Sequence, residues 1–383
     1  MERIDNINIE RLDWLCQERG VSHDQMADGV GIAKSTIRSL FKGSTGLTFN
    51  QLQKISNYFD QGVLFLLEQQ PIIEEEFRSP AFRTLMNQKP EVSPVVKSII
   101  RRAEKQRELF LSLQEELDLD TPTFDAPHFD ENSSPAQKAF VAREWLELSN
   151  ESSFDQYRSA LESRGILVFR SNGYAGKWQI PKNSPVLGFS MYFEECPLIF
   201  VRKQDPEVRQ TFTLMHELGH ILLHHSSVLD DVGDVDFSVA THDEDDANVF
   251  AGNILVTDEH LAEVSDVARP TDTQEYPGWL EPLRRKAGVS TDVVLFRLVE
   301  TQRLSRDNLI EYYKNRRPPE NESPTGNRQY RHREPRHLFG TYFVKTVFDA
   351  LSTQQITLSK ASRYLDGLKL ADLHKLKQYS ASV

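Results

Sequence analysis

Residues 209–224 read RQTFTLMHELGHILLH, an apolar helical pattern that contains His216-Glu217-Leu218-Gly219-His220. Because residues four apart lie on one face of a helix, the imidazoles of His216 and His220 can reach the same metal ion. Glu217 lies one position further round, where its carboxylate can act on a water molecule at that ion. The alternative is a buried histidine pair that serves packing alone. The spacing predicts a zinc site with Glu217 as the catalytic residue.

The segment after His220 offers a carboxylate as the third protein ligand that a catalytic zinc ion takes. Glu244 opens the next predicted helix and shares a face with Ala247, which belongs to the packed side of that helix. Glu244 is therefore expected to point inward and to bind the ion together with His216 and His220. Asp246, on the same helix, is an alternative ligand.

Two further residues are expected to support the ligands. His224 lies four positions after His220, but three successive ligands on one straight helix converge poorly on a single ion. We therefore expect His224 to pack or to hydrogen-bond beside a ligand, with direct metal binding as the alternative. Asn248 lies one turn after Glu244 and is predicted to accept a hydrogen bond from a ligand imidazole.

A second motif occupies residues 22–43, which read SHDQMADGVGIAKSTIRSLFKG. Apolar positions predict two short packed helices, with Ser22 as an N-cap and a turn allowed by Gly29 and Gly31, which is a helix-turn-helix layout. A plain helical hairpin is the alternative. The second helix presents side chains suited to phosphates and base edges, and these candidate DNA contacts are Lys34, Ser35, Thr36, Arg38, Ser39 and Lys42.

The chain has 383 residues and a net charge of −12. Residues 1–70 contain seven Lys/Arg against nine Asp/Glu, so non-specific attraction of this region to DNA should be weak. We therefore expect DNA binding to need a homodimer or a second contact. The longest aliphatic and aromatic run, Val63 to Leu67, is far too short for a membrane span, and residues 1–6 lack the apolar core of a secretory signal. With only two cysteines, the sequence predicts a cytoplasmic protein.

Both motifs resemble known families. Residues 8–68 resemble the Cro and phage-repressor (XRE) type of helix-turn-helix domain, with His23 where that family has Gln. Residues 137–260 resemble the ImmA/IrrE family of zinc metallopeptidases, with Asp246 in place of a second Glu and Thr257 in place of a Pro. The residues that carry the second resemblance are 209–224, 244–255, 188–190 and 197–201.

The resemblance implies a zinc-dependent regulatory protease that inactivates a helix-turn-helix repressor by limited cleavage, in stress or mobile-element responses. It implies Zn²⁺ as cofactor, with Glu244 at the third-ligand position. An extended substrate is expected to pair with the edge of the strand at 198–201. The alternatives are a DNA-binding regulator, or an antitoxin, whose peptidase domain is a non-catalytic sensor.

The expected fold is multidomain: an all-α helix-turn-helix domain, then an α+β zincin-like metallopeptidase domain, then helical C-terminal modules. An acidic loop at 230–236 is expected near the cleft. The predicted regions are the DNA-binding domain 1–70, a linker and charged helix 71–134, the peptidase domain 135–312, a basic flexible linker 313–337 and a small helical module 338–383.

Overall fold

The chain divides into two compact units, Met1–Arg102 and Ala103–Val383. The expected fold class, a helix-turn-helix domain followed by an α+β domain with helices at its C-terminal end, is confirmed. The computed structural model describes residues 3–19, 21–59, 61–70, 81–82, 85, 92–118, 123–149, 153–173, 176–181, 184–231, 242–316 and 328–381.

The first unit is built from short helices around one apolar core. Ser22 and Thr48 each begin a helix through a reciprocal pair of hydrogen bonds with the glutamine three residues later, and Ser22 is thus the N-cap that the sequence predicted. The helices are α1 (Ile9–Arg19), α2 (His23–Val30), α3 (Lys34–Phe41), α4 (Phe49–Tyr58) and α5 (Val63–Leu67).

The turn between α2 and α3 depends on one glycine rather than two. Gly31 has a φ of 65°, a left-handed conformation that ends α2. Gly29 lies inside α2, where an added Cβ would come within 2.6 Å of the Tyr58 ring. The prediction that Gly29 breaks the helix is therefore wrong: its missing side chain allows α2 to approach α4.

The second unit contains a four-stranded sheet. The strands are β1 (Leu167–Arg170), β2 (Val186–Met191), β3 (Leu198–Val201) and β4 (Val228–Asp231). Their order in the sheet is β1-β3-β2-β4. Strand β3 is parallel to β1 and antiparallel to β2, and β2 is antiparallel to β4.

The prediction that the strand at 198–201 offers its edge to a substrate is wrong. Strand β3 is hydrogen-bonded on both sides, because β1 and β2 flank it. Among the described residues, the sheet ends at β1 on one side and at β4 on the other. Strand β4, a short strand that begins four residues after the π-helical turn His220–His224, was not predicted from the sequence.

Helices surround this sheet on both faces. The helix that carries the HExxH residues ends in a π-helical turn, His220–His224. That helix is α9 (Glu207–Gly219). The other α-helices after α5 are, in chain order, α6 (Pro94–Leu117), α7 (Pro135–Trp145), α8 (Phe154–Ser163), α10 (His242–Leu255), α11 (Asp258–Ala262), α12 (Tyr276–Trp279), α13 (Glu281–Ala287), α14 (Thr291–Glu300), α15 (Arg306–Asn315), α16 (Glu334–Ser352), α17 (Leu358–Tyr364) and α18 (Leu370–Ala381).

The two faces of the sheet bury different residues. Val168 and Ile199 pack in an apolar core that includes Leu214 and Leu218 of α9. On the opposite face, Phe169 contacts the rings of two phenylalanines of α16. The C-terminal helices therefore lie within the second unit, with α16 packed against the sheet.

The predicted linker 313–337 is helical at both ends. Helix α15 continues to Asn315 and α16 begins at Glu334. Next to that start, Arg333 and Arg336 stack on Tyr379 of the last helix at 4.6 and 5.2 Å. The middle of this linker, most of the predicted linker at 71–91 and most of the acidic loop at 230–236 lie outside the described residues. Within the described part of the chain, every helix is too short or too polar to cross a membrane.

Candidate metal centre and DNA-reading helix

Helix α9 brings two histidine rings together with a carboxylate from α10. The Nε2 atoms of His216 and His220 are 3.0 Å apart. Glu244 Oε2 lies 3.2 Å from His216 Nε2, and Glu244 Oε1 lies 3.6 Å from His220 Nε2. Among the described residues, these three form the group of side chains with donor atoms close enough to share a metal ion.

The three donors fit a zinc ion. Zinc binds nitrogen and oxygen ligands at roughly 2.0–2.1 Å in a tetrahedral arrangement, which places neighbouring donors about 3.3 Å apart. The observed separations of 3.0, 3.2 and 3.6 Å lie around that value. Two imidazole nitrogens and one carboxylate are also the donor types that zinc prefers.

Glycine at position 219 allows α10 to come close enough to supply Glu244. A Cβ on Gly219 would lie 3.2 Å from the Cα of Ala247 and 3.3 Å from its Cβ. Such close contact between helix backbones requires small residues on both sides, and the sequence has glycine facing alanine. This role of Gly219 could not be predicted from the HExxH motif alone.

The charge state of Glu244 suits a metal ligand. Burial alone would raise the pKa of its carboxyl group, but hydrogen bonds to His216 and His220 outweigh burial and hold that pKa well below its usual range. The group is therefore a carboxylate, the form in which it binds a metal ion.

Glu217 is fully buried beside strand β2, at 0% exposure. A Cβ on Gly188 would lie 3.1 Å from Glu217 Oε1 and 2.7 Å from Thr213 Cγ2. Any larger residue at 188 would therefore push against the carboxylate or against α9. Gly188 was noted only as part of a strand, and a glycine inside a strand is the signal for such a close approach.

Comparison with protein families agrees with this geometry. Residues 162–299 match the family model described as the IrrE N-terminal-like domain, peptidase M78, and residues 12–65 match the helix-turn-helix model. The chain joins a helix-turn-helix domain to an IrrE-like peptidase-family domain. No curated protein and no solved structure is similar enough to the chain to count as a match.

The two alternative metal ligands, Asp246 and His224, are not part of the cluster formed by His216, His220 and Glu244. Asp246 is 3.4 Å from the exposed ring of His242 and does not join the cluster. The π-helical turn brings His224 Nδ1 to 3.1 Å from His220 Nδ1, the ring nitrogen that faces away from Glu244. His224 therefore contacts the candidate ligand His220 on the side of its ring that faces away from Glu244. Asn248 is buried at 4% exposure, one turn after Glu244.

The helix-turn-helix domain presents its candidate DNA contacts on α3. Lys34, Ser35, Arg38 and Lys42 are exposed, while Thr36 and Ser39 are half-buried. Both basic residues within the helix are ion-paired: Lys34 Nζ lies 2.9 Å from Asp28 Oδ2, and Arg38 Nε donates to Asp24 Oδ1 at 3.1 Å.

Two acids of α2 therefore face the basic side chains of α3. The hydrogen bond from Arg38, together with its charge, lowers the pKa of Asp24. The sequence places Lys34 and Arg38 on the DNA-facing side of the helix but does not reveal the acids opposite them. Only the angle at which the two helices cross reveals these pairs.

His23, which stands where the XRE family has Gln, is also held within the domain. Its ring stacks on Phe41 with the centroids 3.6 Å apart, and its Nε2 lies 2.7 Å from Asp13 Oδ1. The residue therefore ties the start of α2 to α1 and to the end of α3.

Proposed function

We propose that the chain is a regulatory zinc-dependent metalloprotease that binds DNA and cleaves a helix-turn-helix repressor in the cytoplasm. The observation that carries the proposal is the cluster of His216, His220 and Glu244, with donor atoms spaced as zinc requires. The IrrE-like match supports a peptidase-type domain, and the helix-turn-helix match supports DNA binding.

The residues of the cluster divide the chemistry between them. His216, His220 and Glu244 would hold the zinc ion, which when bound supplies a Lewis acid that activates water and polarises a carbonyl group. Glu217 would accept a proton from the attacking water and donate it to the leaving amine. Its position against Gly188, away from solvent, keeps the carboxylate in one orientation for both transfers.

The substrate segment is proposed to pair with β4 instead of β3. Strand β4 follows the HExxH helix directly and lies at the edge of the sheet in the described part of the chain. It is also paired with β2, the strand that contacts Glu217, so an extended peptide along β4 would lie near the centre. A crystal structure with a substrate-like peptide bound elsewhere would contradict this step.

The helix-turn-helix domain supports a repressor as the substrate. A protease that binds DNA near the repressor's site meets its substrate at a high effective concentration. Because the lysine and arginine of α3 are ion-paired, we expect a single helix-turn-helix domain to bind DNA weakly. Stable binding should then require a homodimer or a second contact.

The proposal is tested by sequencing new protein N-termini in a bacterial host that expresses the wild type or Glu217→Gln. Termini that appear only with the wild type would identify the substrate and the cleaved bond together. The zinc content of both purified proteins is measured in parallel, with one zinc ion per chain expected for each. A wild type that binds no zinc and yields no new termini would exclude the protease.

The second candidate is a DNA-binding regulator or antitoxin in which the IrrE-like domain senses metal without catalysis. The complete burial of Glu217 favours it, because a general base must meet water during the reaction. A protein that binds zinc, cleaves nothing and gives the same DNA footprint as Glu217→Gln would support the sensor.

A further inference from the structure

Strand β2 carries a second polar residue on the face that meets Glu217. Gly188 faces Glu217, and side chains two positions apart on a strand point to the same side of the sheet. Ser190 therefore also points toward α9, one step further along β2. It is completely buried, at 0% exposure.

The surroundings of Ser190 within the sheet are apolar. Its register partners are Ile199 on β3 and Val228 on β4, and Val168 continues the same row on β1. In the described part of the chain, the Ser190 hydroxyl has no hydrogen-bond partner. An unsatisfied buried hydroxyl destabilises a fold, so packing alone would favour alanine or another small apolar residue at this position.

The helix above the strand offers one suitable carboxylate. On the side of α9 that meets the sheet, Gln210 already accepts from Arg170 and donates to the carbonyl oxygen of Lys203. Glu217 is the carboxylate that lies against the same strand, beside Gly188.

We propose that Ser190 is a positioning residue whose hydroxyl donates a hydrogen bond to the Glu217 carboxylate in the zinc-loaded protein. The inference rests on the proposed protease function. The hydrogen bond would hold one carboxylate oxygen toward β2, so that the other is directed to the attacking water. This role accounts for a serine in an otherwise apolar row.

The test compares Ser190→Ala with Ser171→Ala in the full-length, zinc-loaded chain. Ser171 is equally buried, at 0% exposure, but its hydroxyl donates to Gln204 Oε1 at 2.7 Å and accepts from the Lys203 backbone N–H at 2.9 Å. Ser190→Ala should lower kcat about tenfold, the effect of one lost hydrogen bond to a charged group, with KM and zinc content unchanged. Its melting temperature should stay the same or rise.

Ser171→Ala should show the opposite pattern, with a lower melting temperature and an unchanged kcat. If Ser190→Ala instead lowers the melting temperature and leaves kcat unchanged, Ser190 is structural and the proposal is wrong. An unchanged kcat together with an unchanged melting temperature would also overturn it.

A crystal structure of the zinc-loaded wild type gives a test that does not depend on activity. The proposal requires the Ser190 hydroxyl oxygen within about 3.0 Å of a Glu217 carboxylate oxygen. A hydroxyl bonded to a main-chain carbonyl instead would overturn it. If the wild type binds zinc but cleaves nothing, the protease function fails, while this distance still decides the role of Ser190.

Discussion

The metal centre and the DNA-reading helix hold their functional side chains in opposite environments. His216 and His220 are 4% and 1% exposed, and packing of α9 against α10 fixes their distance from Glu244. Lys34 and Arg38 have side chains that are 45% and 62% exposed, and ion pairs with neighbouring acids hold them. In the metal centre, replacement of one ligand should therefore remove the metal site. In the DNA-reading helix, replacement of one residue should only strengthen or weaken DNA binding by a small amount.

Removal of one buried ligand should give the largest effect. His220→Ala should abolish zinc binding and proteolysis, because two remaining donors do not make a catalytic zinc site. Zinc content by mass spectrometry and the rise in melting temperature on zinc addition measure this loss. The matched control is His242→Ala, which removes a ring that is 86% exposed and paired only with Asp246 among the contacts described for it.

His242→Ala should bind one zinc ion per chain as the wild type does. Unchanged zinc binding in His220→Ala would mean that the zinc ion lies elsewhere. It would contradict the view that the metal centre is one buried site that depends on each of its ligands.

The same contrast explains which features could be predicted from the sequence. The spacing of His216 and His220 on one helix is enough to predict the metal centre, because residues four apart place their side chains on the same face. Glu244 could be placed on the inward face from the helical pattern alone. Gly188 and Gly219 could not be assigned roles, because their effect depends on which strand or helix lies against them. The ion pairs of Asp24 and Asp28 depend likewise on the angle between α2 and α3.

A second buried group of charges should behave like the metal centre. Arg158 Nε donates to Glu162 Oε1 at 3.1 Å, and both side chains are 5% exposed. A Cβ on Gly340, which has a φ of 86°, would overlap Glu162 Oε1. Gly340→Ala should therefore lower the free energy of unfolding of the second unit by about 3–5 kcal/mol.

Gly367→Ala is the control for backbone strain, since Gly367 has a φ of 68° and an added Cβ would meet no atom within 4 Å. Gly367→Ala should lower the free energy of unfolding by only about 1 kcal/mol. Denaturant unfolding of both variants measures the difference. Equal losses would show that the buried ion pair tolerates the added methyl group.

The buried pair should also make stability depend on pH. Burial raises the pKa of Glu162 from 4.5 to about 7, although the nearby Arg158 charge opposes the shift. The folded protein therefore favours the protonated acid, and the stability that this provides is complete below pH 4.5 and lost as the pH rises through 7. The loss should be at most about 3 kcal/mol.

Denaturant unfolding at pH 5 and pH 7.5 tests this with the wild type and Glu162→Gln. The variant removes the titrating carboxyl group but keeps an amide oxygen that can accept from Arg158, so the dependence of its stability on pH over this range should be weaker. Glu147→Gln is the control, since its carboxylate is exposed and bonded to Arg164. Equal pH dependence in all three proteins would exclude Glu162 as the source.

The smallest effect is expected at the DNA-reading helix. There, removal of the ion pairs should increase the affinity for DNA, whereas removal of a ligand at the metal centre should abolish zinc binding. Asp24→Asn combined with Asp28→Asn frees Arg38 and Lys34 from their ion pairs. Exposed ion pairs contribute roughly 0–1 kcal/mol each, so affinity for duplex DNA should rise about three- to tenfold. Binding should also become more sensitive to salt, because more phosphates are neutralised.

Fluorescence anisotropy with labelled duplex DNA at several salt concentrations measures both quantities. Glu68→Gln is the control for net charge, since it removes an acid that pairs with Arg11 instead of a residue of α3. If Glu68→Gln strengthens binding as much per charge as the double variant does, only total charge matters. If the double variant weakens binding, Asp24 and Asp28 orient α3 for DNA, and the exposed site is as tightly organised as the buried one.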